Sequence, residues 1–354
     1  MSCFNNKFLA LLVAMSMVFV SIGTIGTTAT EDDSFSGGDG TESAPYIITT
    51  AAQLAYLAER TNAGYEDESF VYYKLDNDID LSDYGKNWNG GKGWKPIGTY
   101  YYYPFRGIFD GGGYRITGLF IDHNTADNIY KGLFGRITDT VKNLCMVDVK
   151  ISGRGGSGGL AGMIDGIGSK IENCRTSGNI NGEFSATDAY GMYSRSTVGG
   201  MVGFIYRGGS VENCYSNVKI NGSYIGGIAG EIYAGTIKNC YSTGDISGNN
   251  NSGGIAGTID VAGGSSSITN CAALNPSVIG NSDVGRLVGE NHKGGVILSD
   301  NVAFNNMRCE SNGDYADGAY ITAEEINADG TLGGRFTAEN GWTDRKSTRL
   351  NSSH

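Results

Sequence analysis

A run of aromatic residues in the first third of this 354-residue chain is the clearest candidate for a binding function. The run comprises Tyr100, Tyr101, Tyr102, Tyr103 and Phe105. Exposed aromatic rings offer flat apolar platforms to sugar rings or to protein partners. The alternative is a loop whose alternate rings cover the first turns of the folded core, and the sequence leaves both interpretations open.

A second aromatic group lies in a stretch inserted between two repeated phrases of the chain. It comprises Phe184, Tyr190 and Tyr193. Loops on repeat scaffolds often carry binding residues, because they tolerate changes that the scaffold does not. We therefore predict that these two aromatic groups bind a glycan or a protein ligand.

A polar pair, asparagine followed by cysteine, recurs four times and indicates stacking. The asparagines are Asn173, Asn213, Asn239 and Asn270, and the cysteines are Cys174, Cys214, Cys240 and Cys271. If the copies stack in register, the asparagines form a ladder of hydrogen-bonded amides. Cysteines stacked about 4.8 Å apart have Cβ atoms beyond the roughly 3.5–4.5 Å that a disulfide prefers. We expect these thiols to be free, buried and packed as small apolar groups.

The first and last copies of this phrase add detail to the expected cysteine position. In the last copy Asn301-Val302 stands where the others have asparagine and cysteine, which places Val302 at the cysteine position. A position that accepts valine or cysteine is predicted to be a small apolar slot. In the first copy Leu144 takes this place, so Cys145 is shifted by one residue and is expected to face away from the slot.

The sequence offers little for a metal, cofactor or catalytic site. The segment 76–80, Asp-Asn-Asp-Ile-Asp, resembles the start of a calcium loop, but Leu81 and Asn87 stand where such a loop needs glycine and glutamate. No Cys-x-x-Cys pair suggests zinc. The carboxylates of the repeats are mainly isolated charges. We predict no metal, no cofactor and no catalytic residues.

The elements that must position these residues follow from the repeat. A glycine ends a small-residue phrase at Gly135, Gly162, Gly203, Gly230, Gly257 and Gly289. The basic interval is 27 residues, and such repetition is typical of arrays in which each repeat buries its apolar face against the next. One unit contains three β-prone runs, at residues 224–229, 235–241 and 244–248. Three short strands with glycine at the corners predict a parallel β-solenoid.

Composition and patterning divide the chain into six segments. We predict a signal peptide at 1–29, a flexible leader at 30–44, an N-terminal cap with the first coils at 45–130, repeats at 131–305 and a closing segment at 306–343. Residues 344–354 resemble the translation of a sequencing-library adapter and are expected not to belong to the natural chain. A helix that starts at Thr50, with Gln53 in capping-box spacing, is expected to cover one end of the array.

The formal net charge of −11 disfavours partners that carry negative charge. Nucleic-acid backbones and anionic lipid surfaces repel such a chain. The apolar run at residues 8–20 is typical of a signal peptide. We therefore predict a secreted or cell-surface protein with no nucleic-acid partner and no membrane insertion after signal removal.

The repeated phrases resemble those of the GLUG-repeat family of exported bacterial surface proteins. They read GGLAGM…IENC, GGMVGF…VENCYS, GGIAGE…IKNCYSTGDISG and GGIAGT…ITNC, and KGLFG at residues 131–135 is similar to a divergent first copy. APYIITTAAQLAYLAE and FRGIFDGGGYRITGLFI are similar to the start that commonly precedes such repeats. The resemblance implies an all-β, right-handed parallel β-helix with a short N-terminal capping helix, in an adhesin-like surface or secreted protein. It supplies no catalytic residues.

These observations together predict a non-enzymatic, exported β-helix module that presents loops for binding a glycan or a protein. Two alternatives stay open. A polysaccharide-degrading β-helix enzyme, a lyase or a glycosidase, would need carboxylates and basic groups that converge on one groove. A structural spacer would only hold another domain of the same protein away from the cell wall.

Overall fold

The computed structural model describes residues 34–65, 70–99, 102–123, 129–183, 196–260, 264–292, 296–310, 318–328, 332 and 336–337. The predicted signal peptide and the segment 344–354 lie outside these residues. Short β-strands make up most of the regular structure that is described.

The strands are numbered in chain order. The first six are β1 (Tyr46–Ile48), β2 (Tyr72–Leu75), β3 (Ile79–Asp80), β4 (Ile108–Asp110), β5 (Arg115–Thr117) and β6 (Phe120–His123). Those of the repeats are β7 (Tyr130–Lys131), β8 (Phe134–Ile137), β9 (Thr140–Lys142), β10 (Cys145–Gly153), β11 (Gly156–Gly158), β12 (Ala161–Asp165), β13 (Lys170–Glu172), β14 (Arg175–Gly182), β15 (Thr197–Gly199), β16 (Val202–Tyr206), β17 (Ser210–Glu212), β18 (Tyr215–Gly222), β19 (Tyr224–Gly226), β20 (Ala229–Tyr233), β21 (Thr236–Lys238), β22 (Tyr241–Ser242), β23 (Ile246–Gly248), β24 (Ser252–Gly253), β25 (Ala256–Asp260), β26 (Ser266–Thr269), β27 (Ala272–Ala273), β28 (Ser277–Ile279), β29 (Val284–Gly285), β30 (Val288–Asn291), β31 (Val296–Ser299) and β32 (Val302–Phe304). β33 (Arg308–Cys309) and β34 (Ala319–Ile321) follow. Among the described residues the α-helices are α1 (Ala51–Asn62) and α2 (Ala323–Asn327), and two 3-10 helices span Ser82–Tyr84 and Asn89–Gly91.

Four sheets run along the repeats, and strands of neighbouring coils pair in parallel. The first sheet has nine strands, in the order β1-β2-β4-β9-β13-β17-β21-β26-β31. The second has thirteen, along the path β3-β5-β10-β14-β18-β22-β27-β32-β34 with β6, β23, β28 and β33 beside it. The third and fourth have six each, in the orders β29-β24-β19-β15-β11-β7 and β30-β25-β20-β16-β12-β8. The described chain is thus an all-β parallel β-solenoid, and the predicted fold class is confirmed.

Each middle coil contributes to four sheets, whereas the sequence predicts three strands. The run predicted at 224–229 is divided into β19 and β20 by a corner. A Cβ atom on Gly226 would lie 2.0 Å from the carbonyl oxygen of Ala229, and one on Gly227 would lie 2.1 Å from that of Gly254. Because glycine has no Cβ, the pair permits a bend that the β-propensity of its neighbours does not reveal.

The last glycine of each repeated phrase faces the backbone of the preceding coil. Cβ atoms on Gly203, Gly230, Gly257 and Gly289 would lie 2.5–2.7 Å from the backbone nitrogens of Ser157, Val198, Ile225 and Ser252, respectively. No side chain fits at such a separation. The recurring glycine therefore allows the third and fourth sheets to approach each other closely in every coil.

Columns of apolar side chains fill the interior. One column on the first sheet comprises Phe109, Val141, Ile171, Val211, Ile237 and Ile268, all with no exposed surface. Burying one such side chain contributes about 1.5–3 kcal/mol. Because each member packs on the same position of the next coil, the stability of one repeat depends on its neighbours.

Helix α1 caps the N-terminal end of the array. Thr50 is its N-cap residue, and the hydroxyl accepts a hydrogen bond from the backbone N–H of Gln53 at 3.3 Å. The side-chain oxygen of Gln53 accepts from the backbone N–H of Thr49 at 2.8 Å, one residue before the donor of a capping box. Leu54 and Leu57 are fully buried, so the helix covers the apolar interior.

The segment predicted to be a flexible leader is docked onto this cap wherever it is described. The ring centroid of Phe35 lies 4.7 Å from that of Tyr46 and 5.4 Å from that of Tyr56. The backbone N–H of Ser36 donates to the carbonyl oxygen of Ile47 at 2.8 Å. The prediction of a flexible leader is wrong for this part of the segment. The ring of Phe35 packs against a group of tyrosines, and this contact positions the polar residues beside it.

The closing segment contains β34 and α2. Thr322 and Glu325 form the capping box that their spacing predicts. Leu332 and Phe336 form a small apolar cluster with Ile321, against the outer side of β27 and β32. No described helix is long and apolar enough to cross a lipid bilayer.

Candidate functional site

Four exposed aromatic residues lie after helix α1, on the two chain segments that lead into the paired strands β2 and β4, and we call them the cap surface. They are Tyr65, Phe70, Tyr102 and Tyr103, with exposed fractions of 74%, 70%, 65% and 41%. They account for four of the seven large hydrophobic side chains that are exposed in the described residues. The two chain segments meet at Gly64, where an added Cβ would lie 2.6 Å from the ring of Tyr103.

A groove of about 340 Å³ opens beside the cap surface, between α1 and the segment 88–95. It is lined by Ala55, Ala58, Glu59, Asn62, Ala63, Trp88, Trp94 and Lys95. The alanines of α1 leave room for a ligand, and Ala63 directly precedes Gly64 in the chain. The groove and the cap surface are thus neighbouring parts of one end of the solenoid.

The groove combines aromatic walls with two opposite charges. The ring of Trp88 is half-buried, and the edge of Tyr84 packs against it with 5.0 Å between ring centroids. The ammonium group of Lys95 lies 5.6 Å from the centroid of Trp88. Glu59 and Lys95 are both exposed. A flat ring with polar substituents would find both stacking and hydrogen-bonding groups here.

Asn62, the last residue of α1, fixes the chain that leads to the tyrosine run. Its side-chain oxygen accepts hydrogen bonds from the backbone N–H groups of Gly98 and Thr99 at 3.0 and 2.8 Å. Its side-chain nitrogen donates to the carbonyl oxygen of Pro96 at 3.0 Å. The helix end therefore positions the segment that continues into the cap surface.

The structure divides the predicted aromatic site. Tyr102 and Tyr103 are exposed, but Phe105 is 1% exposed and its ring lies 5.0 Å from that of Phe134. Its backbone N–H also donates to the carbonyl oxygen of Arg136 at 2.8 Å. The prediction that Phe105 binds a ligand is therefore wrong, because this residue is part of a coil. The other predicted residues lie outside the described chain: Tyr100, Tyr101, Phe184, Tyr190 and Tyr193.

Tyr65, Phe70 and Trp88 were not among the predicted site residues. Trp88 lies well apart from Tyr65 and Phe70 in the sequence, and only the folded chain brings the two segments to one end of the solenoid. Gly64, which follows the end of α1 and directly precedes Tyr65, is the one local signal of an aromatic group at this corner.

The predicted asparagines line up on one corner of the solenoid. The side-chain nitrogen of Asn239 donates to the side-chain oxygen of Asn213 at 2.9 Å, and that of Asn270 donates to Asn239 at 2.8 Å. The series reaches the first coils, where Asn143 donates to a carboxylate oxygen of Asp110 at 2.9 Å. The ladder residues Asn143, Asn173, Asn213, Asn239 and Asn270 have φ values of 53–56°. Asparagine suits this corner because it tolerates the left-handed conformation.

The four predicted cysteines are stacked, buried and free, but the last coil differs from the expectation. Ala272 is level with Val302, so Cys271 is level with Asn301. Val302 therefore faces the outer cluster, and the prediction that valine fills the slot is wrong by one residue. Cys145 lies beside Arg175 and outside the slot.

Backbone polar groups line the slot. The sulfur of Cys271 accepts from the backbone N–H of Cys240 at 3.4 Å, and its thiol lies 3.3 Å from the carbonyl oxygen of Thr269. In the last coil the side-chain oxygen of Asn301 accepts from the N–H of Cys271 at 2.9 Å. Burial raises the pKa values of the Cys174, Cys214 and Cys240 thiols well above their ordinary value. These thiols are structural hydrogen-bonding groups and poor nucleophiles.

One buried cluster in the repeats brings a carboxylate and basic groups together. Asp165 is 2% exposed, and Arg207 donates to both of its oxygens at 2.9 Å. Arg136 donates to one of the same oxygens. Both oxygens are occupied by guanidinium groups, so the cluster is an ion-pair network rather than an accessible acid or base. Among the described residues no group of three or more histidine, cysteine, aspartate or glutamate side chains could hold a metal ion.

The repeats match a known sequence family. Residues 194–221 and 221–247 match the model described as the GLUG motif, so the predicted resemblance is confirmed. The first match contains β15 to β18 and the second contains β19 to β23 almost entirely, so that one motif corresponds to one coil. The chain is thus a β-solenoid that carries GLUG motifs.

Two curated relatives and one solved structure are similar to this chain. Over 177 residues, it is 34% identical to "Putative Gly-rich membrane protein" of Evansella cellulosilytica. This match covers 48% of this chain and 19% of the relative. Over 225 residues, it is 31% identical to "Halomucin" of Haloquadratum walsbyi. This match covers 61% of this chain and 2% of the relative. The chain therefore spans less than a fifth of either relative. The crystal structure of "a putative immunoglobulin A1 protease from Bacteroides ovatus" shares 25% identity and a TM-score of 0.64, over 83% of this chain and 89% of that one.

Proposed function

We propose that this chain is a non-catalytic binding module of a secreted or cell-surface protein, and that its ligand binds at the cap surface. The observation that carries the proposal is the group of four exposed aromatic side chains beside a groove. Leaving one such side chain in water forgoes about 1.5–3 kcal/mol of burial free energy. A protein that gathers several of them at one end is expected to cover them with a ligand.

The relatives support a location at the cell surface. One of them is named as a membrane protein, and the net charge of −11 suits a chain that stays in solution outside the cell. The ladder and the glycine corners favour a rigid scaffold. A rigid scaffold lowers the conformational entropy that a binding surface loses when its ligand is bound.

The proposal is tested by binding to an array of immobilised glycans and proteins. The cap variant carries Tyr65→Ser, Phe70→Ser, Tyr102→Ser and Tyr103→Ser, and we expect it to bind at least about tenfold more weakly than the wild type. The control carries Ile167→Ser and Ile297→Ser, which remove exposed apolar side chains elsewhere on the solenoid. Equal binding by the wild type and the cap variant would disprove the role of the cap surface.

Proteolysis is the second candidate, because the similar crystal structure bears the name "putative immunoglobulin A1 protease". The described carboxylate at Asp165 is enclosed by two guanidinium groups and does not favour this reading. Incubation of the purified protein with immunoglobulin A1, followed by electrophoresis, distinguishes the two functions. Fragments of the immunoglobulin would favour the protease, whereas intact chains agree with a binding module.

A further inference from the structure

The outer face of the second sheet carries a shallow trough of about 530 Å³, far along the chain from the cap surface. It is lined by Asn179, Asn181, Lys219, Ile220, Asn221, Asp245, Ser247 and Ser277. These residues belong to or directly adjoin β14, β18, β23 and β28, so the trough crosses four coils. Amide and hydroxyl groups form most of its lining.

The coil register fixes the spacing of these groups. Asn181 is level with Asn221 on the next coil, and Asn221 is level with Ser247 on the coil after that. Successive members therefore stand about 4.8 Å apart along the solenoid axis. Asn179 and Lys219 are level in the same way and form the start of a second column. A ligand that runs along the axis meets polar groups at a regular interval.

The amide groups of the trough are available to a ligand. Asn179, Asn181 and Asn221 are exposed, and in the described part of the chain no hydrogen bond joins their side chains to another residue. Each amide offers two donor hydrogens and one acceptor oxygen. The ladder amides differ, since that of Asn239 both donates and accepts within the protein.

The trough is close to neutral, although the chain carries a net charge of −11. Lys219 stands beside Asp245, because Ile220 and Ile246 are level on neighbouring coils. The hydroxyl of Ser277 donates to Asp245 at 2.9 Å. The opposite charges of lysine and aspartate balance each other, so neither a polyanion nor a polycation is attracted over the trough as a whole.

The outer face of the first sheet provides a comparison within the same solenoid. There Lys170 lies 2.9 Å from a carboxylate oxygen of Glu212 and 3.8 Å from one of Glu172. Its charged groups pair with one another across coils. In the trough of the second sheet, by contrast, the side chains of Asn179, Asn181 and Asn221 have no hydrogen-bond partner among the described residues, and this difference favours the trough as a binding face.

We infer that the trough binds an extended neutral polysaccharide that lies along the solenoid axis. Sugar hydroxyls both donate and accept, as side-chain amides do, and an open surface across several coils suits a polymer better than a small molecule. The inference rests on the proposed function in that it treats the solenoid as a binding module. It does not depend on the cap surface, which is a separate site.

The test is electrophoresis of the native protein through gels that contain mannan, arabinoxylan or mixed-linkage β-glucan, with polygalacturonate as the acidic comparison. We expect at least one neutral polymer to retard the wild type and polygalacturonate to leave its mobility unchanged. Retardation by none of the neutral polymers, or by polygalacturonate alone, overturns the inference.

Matched variants locate the binding. Asn181→Ala together with Asn221→Ala removes two amides, and we expect binding about tenfold weaker. Asn249→Ala is the control, because Asn249 is exposed near the trough but does not line it. Unchanged retardation of the double variant also overturns the inference.

The cap variant separates this inference from the proposed function. We expect the cap variant to lose its array ligand and to keep its retardation by the neutral polymer. Array binding without retardation would overturn the trough and leave the proposed function standing. Retardation that the cap variant loses would show that the polymer binds at the cap and not in the trough.

Discussion

At the scale of single residues, the cysteine slot illustrates how a small side chain can serve the backbone. Each stacked sulfur lies against an N–H group of the preceding coil and the carbonyl oxygen two residues earlier in its own coil. Asn301 takes the same place in the last coil, with its side-chain nitrogen 2.7 Å from the carbonyl oxygen of Ile268. The slot therefore selects for small groups that accept and donate hydrogen bonds.

We predict that Cys271→Val destabilises the protein by about 1–3 kcal/mol, because valine leaves the buried N–H of Cys240 without an acceptor. Cys271→Ser keeps an acceptor and a donor at this place and is expected to cost less. The free energies of unfolding of both variants, measured in urea, check this order. A more stable valine variant would mean that the slot is apolar after all.

The buried thiols also predict how stability depends on pH. Burial raises the pKa values of Cys174, Cys214 and Cys240 above the ordinary value of 9.0. Above that pH the unfolded chain releases these protons and the folded chain retains them, so the free energy of unfolding falls. The slope approaches about 1.4 kcal/mol per pH unit for each thiol. Thermal melts between pH 8 and pH 11 should show a shallower decline when all three are serine, and an equal decline would contradict the assignment.

At the scale of elements, the asparagine at the coil corner meets two requirements: it adopts a left-handed backbone conformation, and its side chain bonds to neighbouring coils. Asn239 has a φ of 54°, and its amide bonds to the asparagines of both neighbouring coils. The left-handed conformation costs most residues roughly 1–2 kcal/mol, and asparagine is less affected. The ladder thus marks positions where backbone geometry and side-chain stacking favour the same residue type.

We predict that Asn239→Ala costs about 2–4 kcal/mol of stability, through lost hydrogen bonds and left-handed strain. Asn239→Gly loses the same amide but fits the backbone, and we expect it to cost about 1 kcal/mol less. Urea denaturation of the two variants separates the contributions. If both variants melted like the wild type, the ladder would contribute nothing to stability.

The glycine that ends each phrase gives a further prediction at this scale. Gly230→Ala places a Cβ 2.5 Å from the backbone nitrogen of Val198, and we expect a loss of about 3 kcal/mol. Gly37→Ala is the matched control, since nothing lies within 4 Å of its added Cβ. Circular dichroism melts of both proteins check this difference. Equal melting temperatures would show that the sheets can separate without cost.

The sequence predicts the elements best at positions where a single physical requirement selects a single residue type. The glycine period, the capping box at Thr322 and the buried face of α1 all follow from local patterns. The register of the last coil does not, because Asp300 takes the ladder corner with a φ of 57°. Aspartate tolerates this conformation as asparagine does, so matching the asparagine types aligned Asn301 with the wrong position.

The aromatic site shows a different limit of prediction from the sequence. Tyr102 is exposed and Phe105 is buried although they lie in one run, because the coil geometry alone decides which ring turns inward. Tyr65 and Phe70 come from an earlier segment of the chain, between α1 and β2. A site assembled from distant segments at the end of a solenoid leaves no spacing in the sequence that would reveal it.

At the scale of the whole molecule, the residues that stabilise the solenoid are different from those that we propose to bind the ligand. The interior columns and the ladder repeat in coil after coil, whereas the cap surface occurs once, at the N-terminal end. A change at the cap therefore leaves the repeated contacts intact. This separation is what allows variants of the cap surface to test binding without loss of the fold.

Footprinting of the protein with a photoactivated carbene tests the central claim most directly. The protein is labelled alone and when saturated with the strongest ligand of the array, and the modified residues are identified by mass spectrometry. We predict that labelling of Tyr65, Phe70, Tyr102 and Tyr103 falls on saturation, while that of Ile297 stays constant. Unchanged labelling of the four aromatic residues in the saturated protein would contradict the claim that the ligand binds at the cap surface.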